Sequence, residues 1–142
     1  MALRSVEEGK IDSKKMLPTG SERILVLDDE KLIVTMVTII LEALGYTVYG
    51  ETDSLKALEK IHSNPQLFDL VITDQNMPNL GGVGFSRQAC ELNPDLPIIL
   101  CSGDTTMMES DEDFLSENRI LLKKPLTAMA LATAVRTLLD KR

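Results

Sequence analysis

Three carboxylates and a lysine stand where strand-like runs give out. The run Leu70-Val71-Ile72-Thr73 is apolar or β-branched and stops at Asp74, with a turn at Gln75-Asn76-Met77-Pro78. Ile24-Leu25-Val26-Leu27 stops in the same way at Asp28-Asp29-Glu30. Ile98 to Cys101 stops at Ser102-Gly103-Asp104, and Ile120 to Leu122 stops at Lys123-Lys124-Pro125. An unpaired carboxylate is costly to bury, so Asp74 is expected at the rim of a sheet, facing water, a cation or a substrate. Placed at adjacent strand ends, Asp28, Asp29 and Asp74 would raise one another's pKa. A divalent cation relieves that repulsion, and hard oxygen ligands with retained waters suit Mg²⁺. Asp74 is then a candidate nucleophile toward a phosphoryl group, since carboxylates form acyl phosphates. Lys124 supplies a flexible point cation, and Ser102 a hydroxyl able to donate to a phosphoryl oxygen. A phosphate-bearing cofactor is disfavoured: Asp28-Asp29-Glu30 would repel it where a Gly-rich loop would attract it.

Each of these residues has a plainer explanation when taken alone. Asp28 and Asp29 are acids that a helix N-terminus favours. Asp74 is a common turn residue, Ser102 a turn serine and Lys124 a solvated cation. Their joint placement at the ends of separate strands is what singles them out.

Positioning them requires a particular alternation. The short continuous apolar runs are those of strands covered on both faces. Between them the spacing predicts helices: Lys31 to Leu44, closed by Gly45; one capped by Asp53 or Ser54, with Leu55, Leu58 and Ile61 on its buried face; one carrying Val83, Phe85 and Ala89; and a last one from Thr127, with Ala128, Leu131, Ala132, Val135, Leu138 and Leu139 in helical spacing. Tyr46 to Tyr49 is a weaker strand. Thr105 to Asn118, rich in acids, is expected as a short or mobile helix, and its run Glu109 to Asp113 as a solvated face. Five strands alternating with five helices imply an α/β fold with a parallel sheet and helices on both faces. In such sheets ligands bind beyond the carboxyl ends of the strands, which is where the polar residues fall. In the first helix Thr35, Thr38 and Glu42 form one narrow polar stripe, and nearly everything else is apolar. Covering a sheet face takes an apolar arc of about 100°. The excess points to exposure of Leu32, Met36 or Ile39 and to a partner site there.

Composition narrows the classes. The chain of 142 residues is long enough for one domain with its own core. A hydrophobic content of 44% with 26% charged residues is that of a globular chain and not of a disordered one. A net charge of -7 argues against nucleic acid binding through the overall field. No apolar run reaches the length of a membrane span, and no signal-peptide core is seen, so the expectation is a cytoplasmic domain without membrane contact. Cys101 reads as a small buried hydrophobe, and a disulfide with Cys90 is not expected. His62, the single histidine, reads as exposed and structural. Residues Met1 to Ser21 are expected as a flexible tail or linker ahead of a domain spanning Glu22 to Arg142.

The pieces Ile24-Leu25-Val26-Leu27-Asp28-Asp29-Glu30, Asp74-Gln75-Asn76-Met77-Pro78, Ser102-Gly103 and Lys124-Pro125, in that order, resemble the receiver domain of two-component response regulators. The resemblance implies a flavodoxin-like, doubly wound sheet with strand order 2-1-3-4-5. It implies that Asp74 takes a phosphoryl group from a phosphohistidine on a histidine kinase or histidine phosphotransfer protein. It implies that Mg²⁺ is held directly by Asp29, Asp74 and the backbone carbonyl of Asn76, with Asp28 holding a metal-bound water. Ser102 would move toward the phosphoryl group, Lys124 would contact it, and the Lys124-Pro125 bond would be cis. Such a domain phosphorylates itself and loses the group slowly; it is not a turnover enzyme. It admits a homodimer. The family often carries an aromatic residue three positions before the lysine, where this chain has Leu121, so the usual aromatic readout is not expected. Pro18 to Leu25 resembles the lead-in to the C-terminal receivers of hybrid sensor histidine kinases; a stand-alone regulator is the competing expectation. Two readings of other kinds stay open. One is a flavodoxin-like module that binds a ligand or partner without being phosphorylated. The other is a metal-dependent phosphatase, weakened because Asn76 stands where such enzymes carry a second aspartate.

Overall fold

In the computed structural model, residues 17–103 and 118–141 are described. Five strands, β1 (Arg23–Leu27), β2 (Thr47–Glu51), β3 (Leu70–Asp74), β4 (Ile98–Ser102) and β5 (Arg119–Lys123), form one parallel sheet in the order β2-β1-β3-β4-β5. Among the described residues four helices accompany them: α1 (Lys31–Ala43), α2 (Ser54–Ser63), α3 (Gly82–Leu92) and α4 (Ala128–Leu139). The helix expected over Thr105 to Asn118 and most of the expected N-terminal tail lie outside the described residues.

The strand sequences sort their side chains by the period of two. Ile24, Val26, Leu70, Ile72, Ile99 and Cys101 pack with Val37, Leu41 and the buried face of α4. Leu25, Leu27, Val71 and Ile98 face the other way, onto Ala57, Leu58 and Ile61 of α2 and Phe85 and Ala89 of α3. Each fully buried Val, Leu, Ile or Phe among them contributes about 1.5–3 kcal/mol. The central strands β3 and β4 are buried at every position, which is why they read as unbroken apolar runs.

Local signals end the elements where expected. Asp53 caps α2 by accepting from Leu55 N at 2.9 Å, and Thr127 caps α4 by accepting from Ala130 N at 3.1 Å. Gly45 follows α1 with a φ of 105°, and a Cβ there would also strike the carbonyl oxygen of Gly20. His62 is exposed and Cys101 buried, and both cysteines are free. Burial pushes the Cys101 thiol up to about 12, so it stays protonated.

One expectation fails. Leu55 is 49% exposed, and the buried face of α2 consists of Ser54, Ala57, Leu58 and Ile61. At 100° per residue these four share one arc, and Leu55 lies beyond its edge. Residues next to the start of β1 also make contacts of their own. Leu17 packs against the core, Gly20 N donates to Leu44 O at 3.1 Å, and Arg136 Nη1 bonds Glu22 at 2.8 Å and Tyr46 Oη at 3.3 Å.

Candidate functional site

The parallel register carries the acids together. Leu27 lies beside Thr73, so Asp28 follows β1 where Asp74 closes β3. Asp74 in turn lies beside Cys101, which places Ser102 one step further along β4, and Ser102 is paired in register with Lys123. Lys124 N donates to Ser102 O at 2.8 Å, which holds the start of the β5 loop against the end of β4. The Lys124-Pro125 bond is cis.

Charge density at this mouth is high. One carboxylate oxygen from each of Asp28, Asp29 and Asp74 lies within 4.8 Å of the others. Asp28 and Asp74 are buried, at 3% and 5% exposure, and Asp29 is exposed. Lys124 Nζ sits 2.8 Å from Asp74 Oδ1 and 3.6 Å from Asp28 Oδ2. Asp74 therefore faces a cation and not bulk water. One ammonium against three carboxylates leaves an excess of two negative charges. At about 5 Å and an effective dielectric near 20, the buried Asp28–Asp74 pair costs about 3 kcal/mol before Lys124 offsets it, and exposed Asp29 adds less. Burial, in the first place, holds the Asp28 carboxyl above the usual carboxylate range; the Glu30 N–H it accepts at 2.9 Å opposes this, and Asp74 adds to it. Burial works against the Lys124 ammonium, but the hydrogen bond and charge of Asp74 outweigh it and raise the pKa.

The cluster has the donor set for a hard cation. Three carboxylates at this spacing offer oxygen ligands of both buried and water-facing kinds, the combination that Mg²⁺ accepts while keeping part of its water shell.

The structure thus brings together Asp28, Asp29, Asp74 and Lys124. Ser102 is buried at the end of the neighbouring strand, 4% exposed. Asn76 is exposed, two residues into the loop after β3, and its place at the mouth rests on the path of that loop. Leu121, half-buried, packs with Val83 on Leu100.

Two supports went unseen in the sequence. Glu51 O accepts from Asp28 N at 3.2 Å, while Glu51 Oε2 accepts from Thr52 N and Asp53 N at 3.0 and 3.1 Å. This ties the ends of β1 and β2 to the start of α2. Gln75 bonds the start of α3 through both its backbone and its side chain. A signal for the latter existed: Gly81 and Gly82 open α3 with no capping side chain, so an acceptor must come from elsewhere.

Beside the mouth, α1 presents Leu32, Ile39 and Met36 at 84%, 63% and 40% exposure. Their spacing of four and three residues puts them on one face. Among the described residues no helix is long and apolar enough to cross a membrane.

Comparison with known proteins agrees with this geometry. The response regulator receiver domain family matches residues 24–136. The sensor protein EvgS of Escherichia coli K12 is 35% identical over 126 residues, which make up 89% of this chain and 10% of EvgS. The chain therefore spans about a tenth of that relative. The response regulator receiver protein CpdR of Brucella abortus is 27% identical over 118 residues, covering 83% of this chain and 97% of CpdR. A response regulator receiver protein from Sinorhizobium medicae superposes with a TM-score of 0.75 at 29% identity, over 84% of this chain and 95% of that one. Shared strand order, the acid mouth with its lysine and the match across nearly all of the described domain lead to one assignment: this chain belongs to the response regulator receiver domain family.

Proposed function

We propose that the domain accepts a phosphoryl group on Asp74 from a phosphohistidine carried by a histidine kinase or histidine phosphotransfer protein. The observation that carries this is the convergence of Asp74 from β3, Asp28 and Asp29 from β1, and Lys124 from β5 at one mouth. A carboxylate oxygen of Asp74 forms the new bond to phosphorus as the bond to the imidazole nitrogen breaks, and the imidazole leaves with the electron pair. Lys124, already within 2.8 Å of Asp74, holds the nucleophile in place and balances charge on the incoming oxygens. Ser102, at the adjacent strand end, supplies a hydroxyl donor to the same oxygens. Asp29, Asp74 and the Asn76 carbonyl would hold Mg²⁺, with Asp28 binding one of its waters. Bound there, the ion would neutralise part of the charge on the transferred group. One transfer per site, with slow loss of the group, makes this a switch and not a turnover enzyme.

The test is direct. Incubated with Mg²⁺ and acetyl phosphate, the protein should gain the mass of one phosphoryl group, and Asp74→Asn should gain none. Equal labelling of the two would reject the assignment of the acceptor.

The protein donor would approach along α1, where the apolar stripe of Leu32, Met36 and Ile39 adjoins the mouth. Ile39→Glu should slow transfer from a phosphohistidine protein about tenfold, a typical loss for one apolar contact at an interface, and leave acetyl phosphate labelling unchanged. Equal slowing with both donors would remove the docking role.

A further inference from the structure

The loop from Gln75 to Gly81 leaves β3 and re-enters the fold as α3, carrying Asn76 on its way. Its two ends are closed on each other. Gly82 N donates to Gln75 O at 3.1 Å, and Gln75 N donates to Cys101 O at 3.0 Å on β4. Between them Asn79 adopts a φ of 72°, and Leu80 N donates to Pro78 O at 2.8 Å.

The start of α3 poses a problem that this closure solves. The first N–H groups of a helix lack partners within it, and a Ser, Thr, Asp or Asn at the cap normally supplies an acceptor. Here the cap position is Gly81, which has no side chain to offer. It cannot readily be given one, because a Cβ on Gly81 would lie 2.8 Å from Gln75 O. Gly82 is tighter still: a Cβ there would strike Leu100 Cδ1 and come within 2.6 Å of Asp74 O. Helix α3 therefore begins pressed against the carbonyl of Asp74, at a spot with room only for glycine. The acceptor comes instead from Gln75, whose Oε1 takes the Val83 N–H at 2.9 Å. On the outer side of the loop Ser54, 2% exposed at the first position of α2, donates from Oγ to Leu80 O at 2.9 Å.

We infer that Gln75 and Ser54 are positioning residues for the metal site, pinning from both sides the loop that presents the Asn76 carbonyl. This rests on the proposal that Asp74, Asp29 and that carbonyl hold Mg²⁺. Neither side chain touches the ion or the phosphoryl group. Each fixes a backbone that must offer its oxygen in a set direction, as outer-shell partners do for ligands elsewhere. Gln75→Met keeps the length and loses the acceptor. Gln75→Glu keeps an acceptor, and its charge is tolerated at a helix N-terminus. Ser54→Ala releases the other side of the loop.

The experiment is a Mg²⁺ titration of acetyl phosphate labelling on the full chain, together with amide hydrogen exchange. For Gln75→Met the Mg²⁺ concentration giving half-maximal labelling should rise about tenfold, the usual range for loss of an outer-shell partner. Labelling at saturating Mg²⁺ should approach wild type, and exchange at Val83 N–H should quicken. Gln75→Glu should restore the half-point to within about twofold, and Ser54→Ala should shift it by about threefold. A Gln75→Met protein that melts earlier and yet keeps the wild-type half-point overturns the inference, since the glutamine would then be structural only. Should that variant fail to fold, the half-point of Ser54→Ala decides in the same way. Wild-type labelling that ignores Mg²⁺ would instead overturn the metal reading beneath it, while accelerated exchange at Val83 in Gln75→Met would still establish the pin.

Discussion

Among the described residues, two charged clusters join distant parts of the chain, and they are built on opposite terms. At the base, Arg136 on α4 meets Glu22 ahead of β1 and Asp140 at the end of its own helix, at 2.8 and 2.5 Å. Hydrogen bonds to Asp140 and Glu22 raise the arginine's pKa, and the arginine's hydrogen bond holds Glu22 below its usual range. Every partner gains, and the groups are partly solvated. At the mouth, Asp28 and Asp74 are buried, Lys124 is shared between them, and the Asp28 carboxyl is pushed up. The base cluster serves the fold. The mouth cluster opposes it, through like-charge repulsion that a bound cation would relieve.

The largest effect should come from removing the shared cation. Lys124→Met leaves two buried carboxylates facing each other. Breaking a buried pair costs about 3–5 kcal/mol. Because Lys124 is 28% exposed, a loss of about 2 kcal/mol is expected without Mg²⁺, on the order of 8 °C in Tm for a domain of this size. Added Mg²⁺ should recover much of it. A thermal melt that is the same with and without the lysine would erase the contrast between the clusters.

Removing an acid at the mouth should do the reverse. Asp28→Asn should stabilise the metal-free protein by about 1 kcal/mol at neutral pH, a gain typical of relieving a strained site, while weakening Mg²⁺ binding. The sign of its pH dependence follows from the raised folded-state pKa. Protonated Asp28 is favoured in the fold, so its contribution is fully present below the unfolded value and is lost as pH rises through the folded one. The advantage of Asp28→Asn over wild type should therefore vanish near about pH 3 and grow toward neutrality. A constant advantage across that range would mean that the repulsion is not its source.

A still smaller change is expected at the base. Arg136→Met should cost about 0.5 kcal/mol, reflecting the lost hydrogen bonds to half-buried Glu22 and to Tyr46, and should leave the Mg²⁺ dependence of labelling untouched. Glu22, with a lowered folded-state pKa, contributes stability above its unfolded value that disappears as pH falls through the folded one. The gap between wild type and Arg136→Met should accordingly narrow below about pH 4. A changed Mg²⁺ half-point would show that the two ends of the sheet are coupled.

How much of this could be read in the residues depended on distance along the chain. Strand ends were legible because an apolar run and the acid that stops it are neighbours in sequence, and the rule for parallel sheets then gathers Asp28, Asp74 and Lys124. The surplus of apolar residues in α1 was legible for the same local reason. Contacts between remote residues were not. Arg136 and Glu22 are 114 positions apart, and nothing in the periodicity of either segment announces the pair. Leu55 misled because spacing by threes fits two neighbouring helical arcs, and only packing against Ala57 and Ile61 chooses between them. Gln75 stood in the recognised motif, yet its task follows from a helix start too crowded for any cap of its own.

The gathering of acid at one end of the sheet has a kinetic consequence as well. With Asp28, Asp29, Glu30 and Asp74 at the carboxyl end of the strands and Lys124 set among them, that mouth keeps a local excess of negative charge. A partner with a basic rim would be steered to that end before contact, and one with an acidic rim turned away. Encounter rates should then fall as added salt shortens the screening length toward about 8 Å, even where the final contacts, lying on apolar α1, are themselves indifferent to ionic strength.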